Sequence, residues 1–237
     1  MQVSELWRHP VKSLQGERVE SVRVTPEGME GDRAFAIFDT TTGFGLTARR
    51  VPELLFASAR LRDDGGVEIV LPDGSVADGD DALSDWLGRR VALRSAAEQT
   101  VRRYENPSDF EHEESSRWEP FNGSRGAFHD SPSTAVSLVS YATIAGWSPR
   151  RFRANVVLDG AGEDALVGGR ITIGDVRLAV GTRIPRCVMV TRPQPGDVER
   201  DLDVLRVIHR ERDGRLAVGA TVDAPGTIQV GDSVAST

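Results

Sequence analysis

The sequence predicts a mainly β protein of α+β class with a few short helices, in which a β-barrel follows a smaller β-rich N-terminal domain. Short apolar runs recur along the chain and are closed by Gly, Pro, Asn or Asp turns, the pattern of a barrel rather than of helical layers. Helical periodicity surfaces only in short stretches, at residues 80–88, 141–147 and 201–209. Between residues 101 and 130 acids crowd a polar stretch containing Pro107, Pro120 and Gly123. It reads as a mobile loop or linker that divides residues 1–100 from 131–237.

Residues 3–9 and 18–25 read as strands. Between them Pro10-Val11-Lys12-Ser13-Leu14-Gln15-Gly16 makes a loop: Pro10 holds His9 extended and Gly16 closes the turn. Such a loop can present Lys12 and Ser13 to an anion, although a lone Lys is more commonly a surface residue. His9 has no partner in the sequence and reads as structural. After a turn at 28–31, residues 32–39 read as a buried strand. Arg33 stands at its mouth beside Asp32, where a local ion pair would also explain it. Apolar segments on either side of Asp64-Gly65-Gly66 signal a hairpin. Residues 80–88 read as a capped helix stopped by Gly88, and 91–95 as a strand.

In the second half, residues 135–139 read as a strand and Ser140 as the N-cap of the helix 141–147. A helix start is also an anion site. Residues 152–158, 170–173, 176–180, 187–191, 216–222 and 227–230 read as strands. In 201–209, Leu202, Leu205, Val207 and Ile208 lie around one side of a helix. His112 and His129 lack a spaced partner set and are not taken as metal ligands.

Two stretches carry chemistry. Arg151, Arg153 and Asn155 alternate with Phe152, Ala154 and Val156, which on a strand would put the polar row on one face. A guanidinium fork suits phosphate, and Asn adds a donor and an acceptor. A solvated strand face would carry the same pattern. The second stretch, Thr182 to Val190, holds the only cysteine, Cys187, with Arg186 beside it and Arg183 nearby. Neighbouring cations favour the thiolate, the form that binds metal. A buried cysteine used as a small hydrophobe is the other reading.

Taken together, Pro10-Val11-Lys12-Ser13-Leu14, Gly31-Asp32-Arg33, Arg151-Phe152-Arg153-Ala154-Asn155, Gly162-Glu163-Asp164, Ile173-Gly174, Arg186-Cys187 and Gly226 to Asp232 come in the order of a known family. The chain resembles MOSC-domain proteins with a MOSC N-terminal β-barrel region. These are related to the C-terminal domain of molybdenum cofactor sulfurase and similar to the mitochondrial amidoxime-reducing component. The resemblance implies a MOSC β-barrel and binding of the molybdenum cofactor (molybdopterin). Cys187 would be the molybdenum ligand and the catalytic residue. Lys12, Ser13, Arg33, Ser140, Thr143, Arg153, Asn155 and Arg186 would bind the cofactor. It implies a molybdenum-dependent oxidoreductase that reduces N-hydroxylated or related small substrates, or a non-catalytic carrier of the cofactor or of sulfur. Ala165-Leu166 and Val218-Gly219 depart from the aromatic residues often found at those places.

Bulk properties narrow the partners. Of the 237 residues 39% are hydrophobic and 27% charged, as in a globular chain long enough for a sizeable core. The net charge of −7 argues against nucleic acid or an anionic membrane as partner and leaves a small-molecule substrate. One cysteine suits a reducing compartment, and the first residues show no signal-peptide pattern, so the cytoplasm is expected. With a single thiol no iron–sulfur centre is expected, so a reductase would take electrons from a separate donor protein.

Overall fold

The computed structural model describes residues 1–109, 112–113 and 115–236. It is mostly β, with three short α-helices among the described residues, at Gly79–Leu87, Tyr141–Ile144 and Asp203–Arg212. The largest element is an eight-stranded sheet that curls into a half-barrel. Its order is Val234–Ser236, Arg170–Ile173, Val176–Pro185, Arg215–Ala224, Val136–Ser140, Val156–Leu158, Val3–Arg8 and Glu17–Val19. Neighbours are antiparallel except Val136–Ser140 beside Val156–Leu158, which run parallel.

The central strands are buried on both faces. Val136, Leu138, Val156 and Leu158 point into the barrel core, while Val139 and Val157, one residue out of phase, point to a second core under the helix Asp203–Arg212. That helix contributes Val204 and Ile208 to the second core, against Val190 and Leu216. A third core gathers Val11, Leu14, Ile37, Leu54, Leu55, Ile69 and Leu83 from the N-terminal half.

The first strands of the chain pair with the second half of the sequence: Val3–Arg8 joins Val156–Leu158 within the large sheet, and Ser21–Thr25 pairs with Gly226–Gln229 in a separate three-stranded sheet. The chain leaves the sheet at the loop 10–16 and returns at Glu17. A Cβ on Gly16 would collide with the Arg8 carbonyl oxygen, so the return needs a residue without one.

Local structure departs from the sequence expectations in three places that matter for function. Residues 152–158 do not form one strand. Pro149 opens a 3-10 turn, Pro149–Arg151, Arg153 adopts φ 51°, and only Val156–Leu158 is extended. Arg151, Arg153 and Asn155 therefore share no strand face. Residues 187–191 are not a strand either. Val188–Thr191 is a 3-10 turn with Cys187 as its N-cap residue, closed by the Thr191 hydroxyl donating to the Val188 carbonyl at 2.7 Å. The apolar run there reflects burial between two cores, Met189 against the N-terminal one and Val190 against the helix side, and burial alone does not distinguish strand from turn. The acidic stretch contains a hairpin, Arg103–Pro107 with Trp118–Asn122, and Glu105 and Glu113 meet Arg50 and Arg49 at 3.8 and 3.5 Å. Glu111 and Glu114 of that stretch lie outside the described residues.

Candidate functional site

A cavity of about 410 Å³ opens where the loop 10–16, the segments around 129–134 and 151–155, and the turn carrying Cys187 meet. Its wall is uneven in charge. Among the described residues Lys12, Arg33, Arg151, Arg153 and Arg186 line it, against one carboxylate, Asp130. Phe152, Ile184, Pro185, Met189 and Val190 give it apolar lining, and Cys187, next to Arg186 in the chain, lines it as well.

Each cation is held by backbone. Lys12 is buried; its Nζ donates to the Phe128 carbonyl at 3.1 Å and pairs with the Asp130 carboxylate. Arg33 pairs with Asp32 and donates to the Arg153 carbonyl at 3.1 Å. Arg153 donates to the Leu14 carbonyl at 2.6 Å. Arg186 donates to the carbonyls of Leu216 and Phe152 at 2.7 and 3.0 Å, but its buried Nη2 has no partner among the described residues. A buried guanidinium nitrogen left unsatisfied points to an acceptor from outside the chain. Burial, reinforced by the repulsion of Arg33, pushes the Arg153 guanidinium down to about 9, and burial pushes Arg186 down to about 10. Both still carry charge at neutral pH, so the cavity concentrates a positive field.

Backbone conformation marks the same place. Ser13, Arg33 and Arg153 adopt φ of 71°, 52° and 51°, three of the seven non-glycine residues with positive φ among the described residues. Each costs on the order of 1 kcal/mol or more. Three such residues from distant segments lining one cavity are strain concentrated where a ligand would sit.

Not every polar candidate offers free atoms. The Ser13 hydroxyl accepts from the Ala48 amide at 3.0 Å. The Asn155 carbonyl oxygen accepts from the Ser137 amide and hydroxyl at 3.1 and 2.9 Å, and its amide nitrogen donates to the Trp7 carbonyl at 3.3 Å. Both residues line the cavity while bracing it. Ser140 and Thr143 are not among its lining residues. The Ser140 hydroxyl donates to Glu163 at 2.7 Å and accepts from the Thr143 amide at 3.2 Å, which caps the helix Tyr141–Ile144. Arg151 lines the cavity but gives its guanidinium to the carbonyls of Val190, Arg192 and Glu199 at 3.0, 3.4 and 2.6 Å, and so fastens the turn that carries Cys187.

Sequence reasoning missed two features. Asp130 is the cavity's carboxylate, and Lys12 holds it well below the usual carboxylate range. Lys12 is also the single lysine of the chain, whose other 28 basic residues are all arginine. A lysine kept at one buried position in such a chain is a signal that composition could have supplied. His129 also lines the cavity, and burial, with Arg33 nearby, lowers its pKa. Among the described residues no group of three His, Cys, Asp or Glu side chains gathers. A metal held by Cys187 would draw its other ligands from the group that brings it.

A family model described as the MOSC N-terminal beta barrel domain matches residues 1–113, and one described as the MOSC domain matches residues 125–235. Among solved structures the chain is similar to the YuaD protein from Bacillus subtilis, at 14% identity over 98% of this chain and 93% of that one, with a TM-score of 0.47. It is similar to a hypothetical protein at 11% identity over 100% and 67% of the two chains, with a TM-score of 0.47. YiiM from Geobacillus stearothermophilus is 16% identical over 57% of this chain and 72% of that one, with a TM-score of 0.37. No curated protein matches the chain. The two family matches, end to end, make this a protein with a MOSC N-terminal beta barrel domain followed by a MOSC domain.

Proposed function

We propose that the cavity binds the molybdenum cofactor, with Cys187 as the protein's ligand to molybdenum, and that the protein reduces N-hydroxylated or related small substrates. The observation that carries this reading is the meeting of the chain's only thiol with five cationic side chains in one cavity of a MOSC protein. The donor set suits a dithiolene-bearing pterin with a terminal phosphate. A thiolate is a fitting ligand for a sulfur-coordinated metal. Lys12, Arg33 and Arg153 offer charge to the phosphate, and the unpartnered Nη2 of Arg186 offers a donor beside Cys187. When bound, the cofactor supplies two-electron oxygen-atom chemistry; the chain's residues hold and orient it and shape the space for substrate. Electrons would come from a separate donor protein. The net charge of −7 supports a small-molecule substrate over nucleic acid. Among the described residues no helix is long and apolar enough to cross a membrane; the single cysteine of the sequence suits a reducing compartment such as the cytoplasm.

Protein purified from molybdate-supplemented cells tests the reading. It is expected to carry molybdenum and pterin in equal amounts and to turn over benzamidoxime with an artificial electron donor. Equal molybdenum and pterin with no turnover, but with transfer to a cofactor-free enzyme, would make it a carrier. Neither metal nor pterin after gel filtration would overturn cofactor binding.

Arg151 and Arg153 separate bracing from binding. Arg153→Ala is expected to weaken pterin retention by about 10- to 100-fold, the worth of one charge-assisted contact, and to lower stability by only about 1 kcal/mol, since one backbone carbonyl, that of Leu14, loses its donor. Arg151→Ala is expected to lower stability by about 3 kcal/mol, since three backbone carbonyls lose their donor. Thermal unfolding and pterin content after dialysis check the pair.

A further inference from the structure

We propose that Tyr104 is the positioning residue for Lys12, the single lysine that faces the cavity. Tyr104 lies on the strand Arg103–Pro107, outside the cavity lining, and is 3% exposed. The Lys12 Nζ stands over its ring, 5.3 Å from the centroid. Three groups thus surround the ammonium: the Tyr104 ring face, the Phe128 carbonyl and the Asp130 carboxylate. The carboxylate is the solvent-accessible member, with its side chain 92% exposed, whereas the ring is buried. An incoming anion can displace Asp130 from Lys12; it cannot displace the ring.

The ring is itself tightly held. A Cβ on Gly45 would collide with its Cε1, and one on Gly123 would come within 2.7 Å of its Cε2. Backbone hydrogen bonds bring both glycines to it, from the Gly45 amide to the Arg103 carbonyl at 2.8 Å and from the Gly123 amide to the Arg102 carbonyl at 2.6 Å. Phe38 and Phe121 pack on the ring at centroid distances of 6.0 and 5.8 Å. Among the described residues the buried hydroxyl has no hydrogen-bond partner, so no polar contact there accounts for a tyrosine. The ring face remains as its use. A cation over a desolvated aromatic face gains attraction without a counter-charge that would compete with a bound anion. In this way the acidic hairpin 103–122 is tied to the cavity through one aromatic side chain.

The positioning of Lys12 stands on this geometry; its consequence for anion binding rests on the cofactor reading above. Labelling with carbon-13 lysine gives one ε-methylene signal, because the chain has one lysine. In the unsubstituted protein that signal is expected upfield of free lysine through the ring current. Tyr104→Phe should keep the shift and the thermal stability. Tyr104→Leu should return it to the free position and weaken inorganic pyrophosphate binding by about 30-fold, the worth of a desolvated cation–π contact, against less than about twofold for Tyr104→Phe. Tyr104→Met fills the site without a ring and serves if the leucine variant does not fold. An ε-methylene signal that stays upfield in either ringless variant overturns the proposal. A signal that moves while pyrophosphate affinity stays equal in every variant, Lys12→Met included, upholds the positioning and removes Lys12 from the cofactor reading instead.

Discussion

Cys187→Ser is expected to leave the protein folded and, on the proposed reading, to remove the protein's sulfur ligand from molybdenum. The residue caps the 3-10 turn Val188–Thr191 through its backbone, with no side-chain cap bond, and is only half-buried. Exchange of sulfur for oxygen there should cost less than about 1 kcal/mol. The chemical change is larger. A serine hydroxyl stays protonated near neutral pH and is a harder ligand, so the protein's bond to a sulfur-ligated metal is lost. On the proposed reading, turnover then falls to background while part of the pterin stays, held by Lys12, Arg33 and Arg153. A core cysteine would behave in the opposite way, with stability reduced and the metal's surroundings untouched. X-ray absorption at the molybdenum edge distinguishes them. An unchanged number of sulfur neighbours in the serine variant would remove Cys187 as ligand, and undiminished turnover would remove it from catalysis.

The second large effect is on stability. Asp32→Ala should destabilise the protein by about 3–5 kcal/mol, because it leaves a paired and largely buried cation without its partner. The Asp32 side chain is fully buried, accepts from the His9 amide at 2.7 Å and pairs with Arg33. For a chain of this size the loss corresponds to a fall in melting temperature of about 10 °C; a fall of under about 3 °C at pH 7 would show that the pair is not structural. The same cluster sets a pH dependence. Burial, with Arg153 nearby, pushes His9 from 6.5 down to about 3. Between those values the unfolded chain binds a proton that the folded chain refuses, so stability is full above pH 6.5 and declines as pH falls toward 3. Burial pushes the Asp32 carboxyl up, but Arg33 together with His9 outweighs it and holds the group well below the usual range. Its contribution is full above the unfolded value of 3.8 and is lost only in stronger acid. Thermal melts from pH 8 to 4 should therefore fall steadily below pH 6.5, and His9→Phe should flatten that slope.

The metal and stability predictions meet at Arg33. Asp32 fixes the guanidinium, the guanidinium braces the Arg153 carbonyl, and Arg153 braces Leu14 in the loop of Lys12. Loss of Asp32 should thus loosen the cavity as well as the fold, and pterin retention should fall in Asp32→Ala even at temperatures where the variant is folded.

What the sequence by itself determined is the part of this protein set by local rules. The mainly β class follows from short apolar runs between turn residues, and the hairpin Ser58–Leu61 with Val67–Val70 from Asp64-Gly65-Gly66. The helices Gly79–Leu87 and Asp203–Arg212 follow from period and stop signals. The ordered motifs pointed to a MOSC protein, as the family matches do. Only the tertiary structure decided how the cavity is built. The left-handed backbone of Ser13, Arg33 and Arg153 has no local signal, because a non-glycine residue takes positive φ only where its surroundings compel it. Ser13 and Asn155 are polar in sequence, yet their polar atoms serve backbone and neighbouring side chains. Asp130 and Tyr104 became visible only once Lys12 reached Phe128 and Asp130, 116 and 118 residues away, and Arg153 reached Leu14, 139 residues away. Periodicity and turn chemistry act over a few residues, whereas a cavity closed by contacts across more than a hundred residues is specified by the packing of whole elements.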